Sequence, residues 1–167
     1  METITTPRLL LRRAHIGDLE ALHGIFSNPA AMRYWDTLPH TSLEQTRIWL
    51  ARMIDADPGT SDDFIIERAG AVIGKAGMWR LPEIGFILHP DYWGQGIAFE
   101  ALSAVIPHVF GKFGMDALVA EADPRNEACL ALLKRLKFSE THRAERTMKI
   151  GDEWCDSVYL KLLRSNA

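Results

Sequence analysis

The spacing of apolar residues changes several times along the chain, and each change marks a new element. Leu9, Leu10 and Leu11 form a short apolar run between Arg8 and Arg12-Arg13, a strand pattern. From His15 to Asn28, Leu19, Leu22, Ile25 and Phe26 recur at helical spacing, and Pro29 stops the helix. Ser42, followed by Glu44 and Gln45, is placed to cap a second helix. Its apolar face continues through Ile48, Trp49, Met53 and Ile54 until Pro58-Gly59.

The middle of the chain reads as β structure. Phe64, Ile65 and Ile66 form one strand, Ala69-Gly70 a turn, and Ala71 to Trp79 a second strand. Leu81-Pro82 precedes a third, Glu83 to Leu88, giving an antiparallel meander. Gly94 to Gly96 then leads into a helix from Ile97 to Gly111, which Pro107 is expected to kink or end. A strand from Ala117 to Ala122 and a helix from Glu127 to Leu136 follow. Thr147–Ile150 and Ser157–Leu163 close the chain as a hairpin around Gly151-Asp152. The predicted order is β-α-α-β-β-β-α-β-α-β-β, an α+β (mixed α/β) arrangement with partly parallel pairing.

Length and composition narrow the class. A chain of 167 residues favours one domain over 1–167, and 47% hydrophobic with 25% charged residues suits a soluble globular protein. A net charge of −3 argues against a nucleic-acid binder with a broad basic surface. Cys129 and Cys155 make no disulfide framework and no Cys/His metal spacing, so no metal is expected. The first residues lack signal-peptide order and no apolar run is long enough to span a bilayer, so the expected location is the cytoplasm, with no membrane partner.

The segment Ile87-Leu88-His89-Pro90-Asp91-Tyr92-Trp93-Gly94-Gln95-Gly96-Ile97-Ala98 carries the chemistry. A strand ends, a loop with two glycines turns, and a helix begins. Glycine allows close backbone approach. The first amides of a helix lack internal acceptors and point along its positive end, so they form an anion site. No Gly-Lys-Ser/Thr follows, and Gly94-x-Gly96 lacks the third glycine of a dinucleotide fingerprint. Taken alone, the glycines are equally consistent with an ordinary strand-to-helix turn.

The surrounding residues resemble the GNAT acyltransferase superfamily, whose central motif is Gln/Arg-x-x-Gly-x-Gly/Ala. Gly96 and Ala98 hold its last two positions, while Trp93 departs from Gln/Arg at the first. Thr6-Pro7-Arg8-Leu9-x-Leu11-Arg12, Asn28-Pro29 with Tyr34-Trp35, Ile73-Gly74-Lys75-Ala76-Gly77, and Asp123-Pro124-x-Asn126 through Leu136-x-Phe138 are similar to further segments of this family. They resemble the branch of ribosomal-protein alanine N-acetyltransferases. The resemblance spans nearly the whole chain. It implies a mixed, mostly antiparallel sheet splayed at the fourth strand, with flanking helices.

It also implies acetyl-coenzyme A as cosubstrate and a primary amine, either a protein N-terminus or a small molecule, as acceptor. Pantetheine would pair with the backbone of Phe86, Ile87 and Leu88 near a bulge, and the Leu88 amide would polarise the thioester carbonyl. The amides of Trp93, Gly94, Gln95, Gly96, Ile97 and Ala98 would hold the pyrophosphate. Asn126 is either a helix cap or a neighbour of the pantetheine arm, and the two roles are compatible. Phe138 is expected in the core.

Acetyl transfer needs a neutral amine, hence a base. Glu83, in Glu83-Ile84-Gly85-Phe86, resembles the catalytic glutamate of some family members; its other reading is a solvated strand-end residue. Many relatives carry an acidic tyrosine where this chain has Leu133, and the related branch carries serine where this chain has Cys129. Cys129 is thus either a donor to the leaving sulfur or a small packing residue, with Tyr159 in reserve. Trp35 and Trp154 are candidate walls of the acceptor cleft, and Asp36, His40, Glu83, Asp91 and Asp152 could attract a cationic amine. A homodimer is compatible with this reading. Two rival readings are a non-catalytic CoA-binding regulatory domain and a phosphate-binding protein of another fold.

Overall fold

The computed structural model describes residues 2–167. Eight strands form one sheet in the order β1-β2-β3-β4-β5-β6-β8-β7. Its first four members are β1 (Ile4–Thr5), β2 (Leu10–Arg12), β3 (Asp62–Arg68) and β4 (Ala71–Arg80). The others are β5 (Glu83–Leu88), β6 (Ala117–Ala122), β7 (Ser139–Ile150) and β8 (Glu153–Leu163). All neighbours pair antiparallel except β5 and β6, which are parallel. The expected meander is therefore present. One short strand, β1, precedes it, and the fourth strand of the sequence reading is β5.

Two apolar layers cover the sheet. On one face α3 (Ile97–Phe113) and α4 (Glu127–Arg135) pack over Leu11, Phe64, Ile73, Leu118 and Leu160. On the other face α1 (Leu19–Phe26) and α2 (Leu43–Ile54) pack over Ile65 and Ile87. Alternation along each strand sorts the faces. In β5, Ile84, Phe86 and Leu88 meet the α3 layer, while Ile87 meets the α1 layer. Glu83 and Gly85 share the Ile87 face by the same alternation.

Pro107 neither ends α3 nor marks its boundary; the helix runs on to Phe113. An interior proline costs about 3 kcal/mol. Val105, Ile106, Val109 and Phe110, all buried around it, contribute about 1.5–3 kcal/mol each, which outweighs that cost. The stop comes at Gly114, whose φ of 62° suits a C-terminal glycine cap and whose N–H donates to Phe110. The closing hairpin is also longer than expected, because β7 begins at Ser139. Among the described residues no helix is long and apolar enough to cross a membrane.

Candidate active site

The parallel junction between β5 and β6 is brief. Glu83 and Val119 form its one register pair, with the Val119 N–H donating to the Pro82 carbonyl at 3.0 Å. Beyond that point the two strands diverge into a wedge. The β4–β5 register, by contrast, is unbroken from Gly74 opposite Leu88 to Met78 opposite Ile84. Gly74 permits this closeness: a Cβ there would lie 2.2 Å from the Ile87 carbonyl oxygen.

Register determines which amides face the wedge. The His89 N–H donates to the Ile73 carbonyl at 2.8 Å, so the bonds of Ile87 and Gly85 also turn toward β4. Phe86 and Leu88 therefore aim their amides into the wedge, where an extended chain could pair with them. Ile87, expected in the same role, has its amide committed to β4. The expected bulge is displaced as well. The irregularity lies between Met78 and Arg80 on the neighbouring strand, at Trp79, and not among Phe86–Leu88.

The glycine loop stands at the end of β5. Gly94 (φ 69°) and Gly96 (φ 72°) both occupy the left-handed region, which side-chain-bearing residues adopt at a cost of about 1–2 kcal/mol. Gly96 is the N-cap of α3 and offers no side-chain cap. The first intrahelical bond runs from Glu100 N–H to Gly96 O, so the preceding amides have no acceptor in the helix. The Trp93 amide does have one, the Pro90 carbonyl at 3.1 Å. Of the amides expected to form the cradle, those free of a backbone acceptor thus begin at Gly94 and run through Ala98. The Trp93 indole donates to the Leu88 carbonyl at 3.2 Å.

Asn126 caps α4: its Oδ1 accepts the Cys129 N–H at 3.2 Å, leaving the Nδ2 donors for other partners. Cys129 sits on the α4 side, packed against the α3 core layer. Burial pushes its thiol up to about 11.

Three carboxylates on the opposite side of the wedge differ in their partners. Arg80 holds Glu83 at 2.8 Å. Arg125 holds both oxygens of Asp123, at 2.9 and 2.7 Å, and reaches Glu153 at 2.6 Å. Glu121 has no cationic partner among the described residues; it accepts from the Ser157 hydroxyl at 2.5 Å, and that hydroxyl lies 2.5 Å from Thr147 Oγ1. Leu118, Ala120 and Ala122 join the α3 layer, so Val119 and Glu121 face away from it, on the Glu83 side. The sequence reading passed over Glu121. Its signal was a lone acid in an otherwise small apolar strand, Ala-Leu-Val-Ala-Glu-Ala.

A cleft of about 190 Å³ lies between the loop after α1 and the β7–β8 hairpin, and Glu153, which shares Arg125 with Asp123, lines it. Met32, Leu38, Ile150, Glu153 and Cys155 are among its lining residues. The two expected tryptophan walls are not there. Trp35 packs on Phe26, with ring centroids 5.9 Å apart. Because Glu153 and Cys155 face the cleft, Trp154 points to the opposite face, where Arg146 stacks on it at 4.8 Å. Tyr159 stands opposite Glu121 in register and stacks on His142, on the side away from Cys129. His40 is structural: it stacks on Phe26 and contacts Thr46 at 2.8 Å, and burial holds its pKa down. Asp36, Asp91 and Asp152 are exposed, and Phe138 is buried in the core as expected.

Glu2, Asp62 and His108 also gather, with ligand atoms within 4.8 Å of one another, at the C-terminal end of α3. Arg13 and Lys112 already pair with both carboxylates, which marks an ion-pair cluster.

Residues 8–139 match the acetyltransferase (GNAT) domain family. An uncharacterised N-acetyltransferase, p20 of Bacillus licheniformis, is 30% identical over 149 residues, covering 84% of each chain. The spermidine N(1)-acetyltransferase of Escherichia coli strain K12 is 26% identical over 140 residues, covering 77% of this chain and 72% of its own. In three dimensions the fold is similar to RimL, a ribosomal L7/L12 alpha-N-protein acetyltransferase solved with coenzyme A. The TM-score is 0.87 at 22% identity, over 99% of this chain and 100% of the other.

Proposed function

The chain belongs to the GNAT acetyltransferase family, and from that premise we propose that it transfers acetyl from acetyl-CoA to a primary amine by direct attack within the β5–β6 wedge. One observation carries this reading: the single Glu83–Val119 pairing opens a gap lined by the amides of Phe86 and Leu88, with the glycine cradle at its mouth. Pantetheine pairs with those two amides as a missing strand. The amides from Gly94 to Ala98 take the pyrophosphate, and Asn126 Nδ2 supports the arm. The Leu88 amide polarises the thioester carbonyl.

The amine reaches the thioester from the face of the sheet that carries Glu83 and Glu121. There a carboxylate removes its proton, directly or through water. Glu121 suits this task better than Glu83, because its partner is a neutral hydroxyl and not a guanidinium. The leaving sulfur faces the Cys129 side. A thiol near 11 is protonated at neutral pH, so Cys129 donates a hydrogen bond to that sulfur. Passing its proton to a coenzyme thiolate, with a normal thiol value near 8.5, is uphill by about 3.4 kcal/mol. Water completes the protonation.

The relatives' names span a polyamine and a protein α-amine, which sets the panel to try. Thiol release from acetyl-CoA is measured with spermidine, with peptides bearing N-terminal alanine or serine, and with small monoamines. Turnover on one class identifies the acceptor. CoA binding without turnover on any amine would overturn the catalytic reading.

A further inference from the structure

Backbone amides bind phosphate well, but a fixed guanidinium adds two-pronged hydrogen bonding and charge. At the loop position where the family pattern carries Gln or Arg, this chain carries Trp93, whose indole is turned to Leu88. Two arginines from distant parts of the chain reach the same loop. We infer that Arg8 and Arg68 complete the pyrophosphate cradle, supplying the charge that position 93 does not. The inference rests on the cofactor reading above.

Arg8 is held from three directions. Its backbone N–H donates to Glu100 Oε1 at 2.9 Å, its Nε to Glu100 Oε2 at 2.5 Å, and its Nη1 to the Gln95 carbonyl at 2.8 Å. The Thr6 hydroxyl adds a bond to Glu100 at 2.6 Å. Desolvation would raise the Glu100 carboxyl, yet the bonds from Thr6 and Arg8 hold it below the usual carboxylate range. Nη2 remains, and it lies 3.6 Å from where a Cβ on Gly96 would stand. The free end of the guanidinium is thus fixed beside the helix N-cap, with its rotamer already ordered before any ligand arrives.

Arg68 comes from the end of β3, and its Nη1 donates to Gln95 Oε1 at 2.7 Å. Gln95 Nε2 in turn donates to the Asp91 carbonyl at 3.1 Å, so the side chain is clamped across the loop. Arg68 has no carboxylate partner among the described residues, whereas Glu100 balances Arg8. The Asp91 carboxylate is exposed and lies nearest His89. A net positive charge from Arg68 therefore stands beside the loop, at the Gln95 side chain, matched to a diphosphate diester.

The test uses the full chain and three thioesters: acetyl-CoA, acetyl-dephospho-CoA, and S-acetylpantetheine, which has no diphosphate. Arg68→Ala and Arg8→Ala should each raise KM for the first two about tenfold, with kcat within about twofold. KM for S-acetylpantetheine should not move. Arg8→Lys, which keeps charge but not the fork, should fall between. Arg68, at the surface and outside the Glu100 brace, keeps the test valid if Arg8→Ala folds poorly. Equal loss for all three thioesters would show a purely structural role and overturn the inference. Loss confined to acetyl-CoA would assign the arginines to the 3′-phosphate and also overturn it, as would unchanged KM. A wild-type protein that does not prefer acetyl-CoA over S-acetylpantetheine would overturn the cofactor reading and this inference with it.

Discussion

Trp93 Nε1 and the Leu88 carbonyl oxygen are 3.2 Å apart, in hydrogen-bond contact across the mouth of the wedge. Leu88 is one of the two β5 residues whose backbone groups turn from β4 toward the gap, so a pantetheine amide competes with the indole for that oxygen. A neutral hydrogen bond is worth about 1 kcal/mol, or about fivefold in affinity. Trp93→Phe should therefore bind CoA about fivefold more tightly. CoA should also change the intrinsic fluorescence of the wild type more than that of the variant. Weaker binding by Trp93→Phe would show that the indole supports the cofactor.

Cys129 should behave as a silent thiol. With burial pushing it up to about 11, only about one molecule in a thousand carries a thiolate at pH 8. Alkylation by iodoacetamide should be slow at pH 8 and rise about tenfold per pH unit until near 11. Cys129→Ala should lower kcat by less than about tenfold, since the thiol lends a hydrogen bond and not a proton. A loss of a hundredfold or more would restore it as the acid.

The elements legible in the sequence are those whose apolar period coincides with a buried face. Leu19, Leu22, Ile25 and Phe26 are all buried, and Ile84 and Leu88 likewise, so α1 and β5 read true. The strand β7 was mostly missed because it is a solvated edge. Ser-Glu-Thr-His-Arg has no apolar alternation, and its order comes from pairing with β8. Site residues followed the same division. The glycines are marked by the backbone conformation they permit, which sequence shows. Glu121, Arg8 and Arg68 owe their positions to strand register and to long-range bonds, which no local pattern records. Trp35 and Trp154 were placed by analogy, and packing and strand parity put them elsewhere.

The two wedge carboxylates make separable predictions. Glu121→Gln keeps the shape and the Ser157 contact but cannot accept a proton. It should lower kcat/KM by about a hundredfold or more and abolish the acidic limb of the pH profile. Glu83→Gln loosens Arg80 at an exposed ion pair and should cost less than about tenfold, with the profile retained. The reverse ranking would return the base to Glu83. CoA affinity should be nearly unchanged in both, because neither residue lies in the cradle.

Acid stability tests the ion-pair cluster at the far end of α3. The Asp62 side chain is fully buried. Desolvation alone would raise its pKa, but Lys112 and Arg13 outweigh it and hold the carboxyl below the ordinary value of 3.8. Asp18 is lowered likewise: desolvation raises it, and Arg12 and the His15 amide prevail. A carboxyl depressed on folding stabilises the native state above its unfolded value, and that stability is lost as pH falls through the folded value. Stability to urea should thus decline gently from about pH 7 to 5, where burial of His40 makes its protonation favour the unfolded chain, and drop steeply below about 4. Asp62→Asn removes the charge while keeping the shape. Breaking a buried pair costs about 3–5 kcal/mol. Arg13 and Lys112 reach solvent, which moderates the loss to about 2–3 kcal/mol at pH 7. The variant's curve should also be flatter than the wild type's below pH 4. Parallel pH curves, offset by a constant, would mean that Asp62 titrates alike in the folded and unfolded chain, and the cluster would then contribute packing but no charge-linked stability.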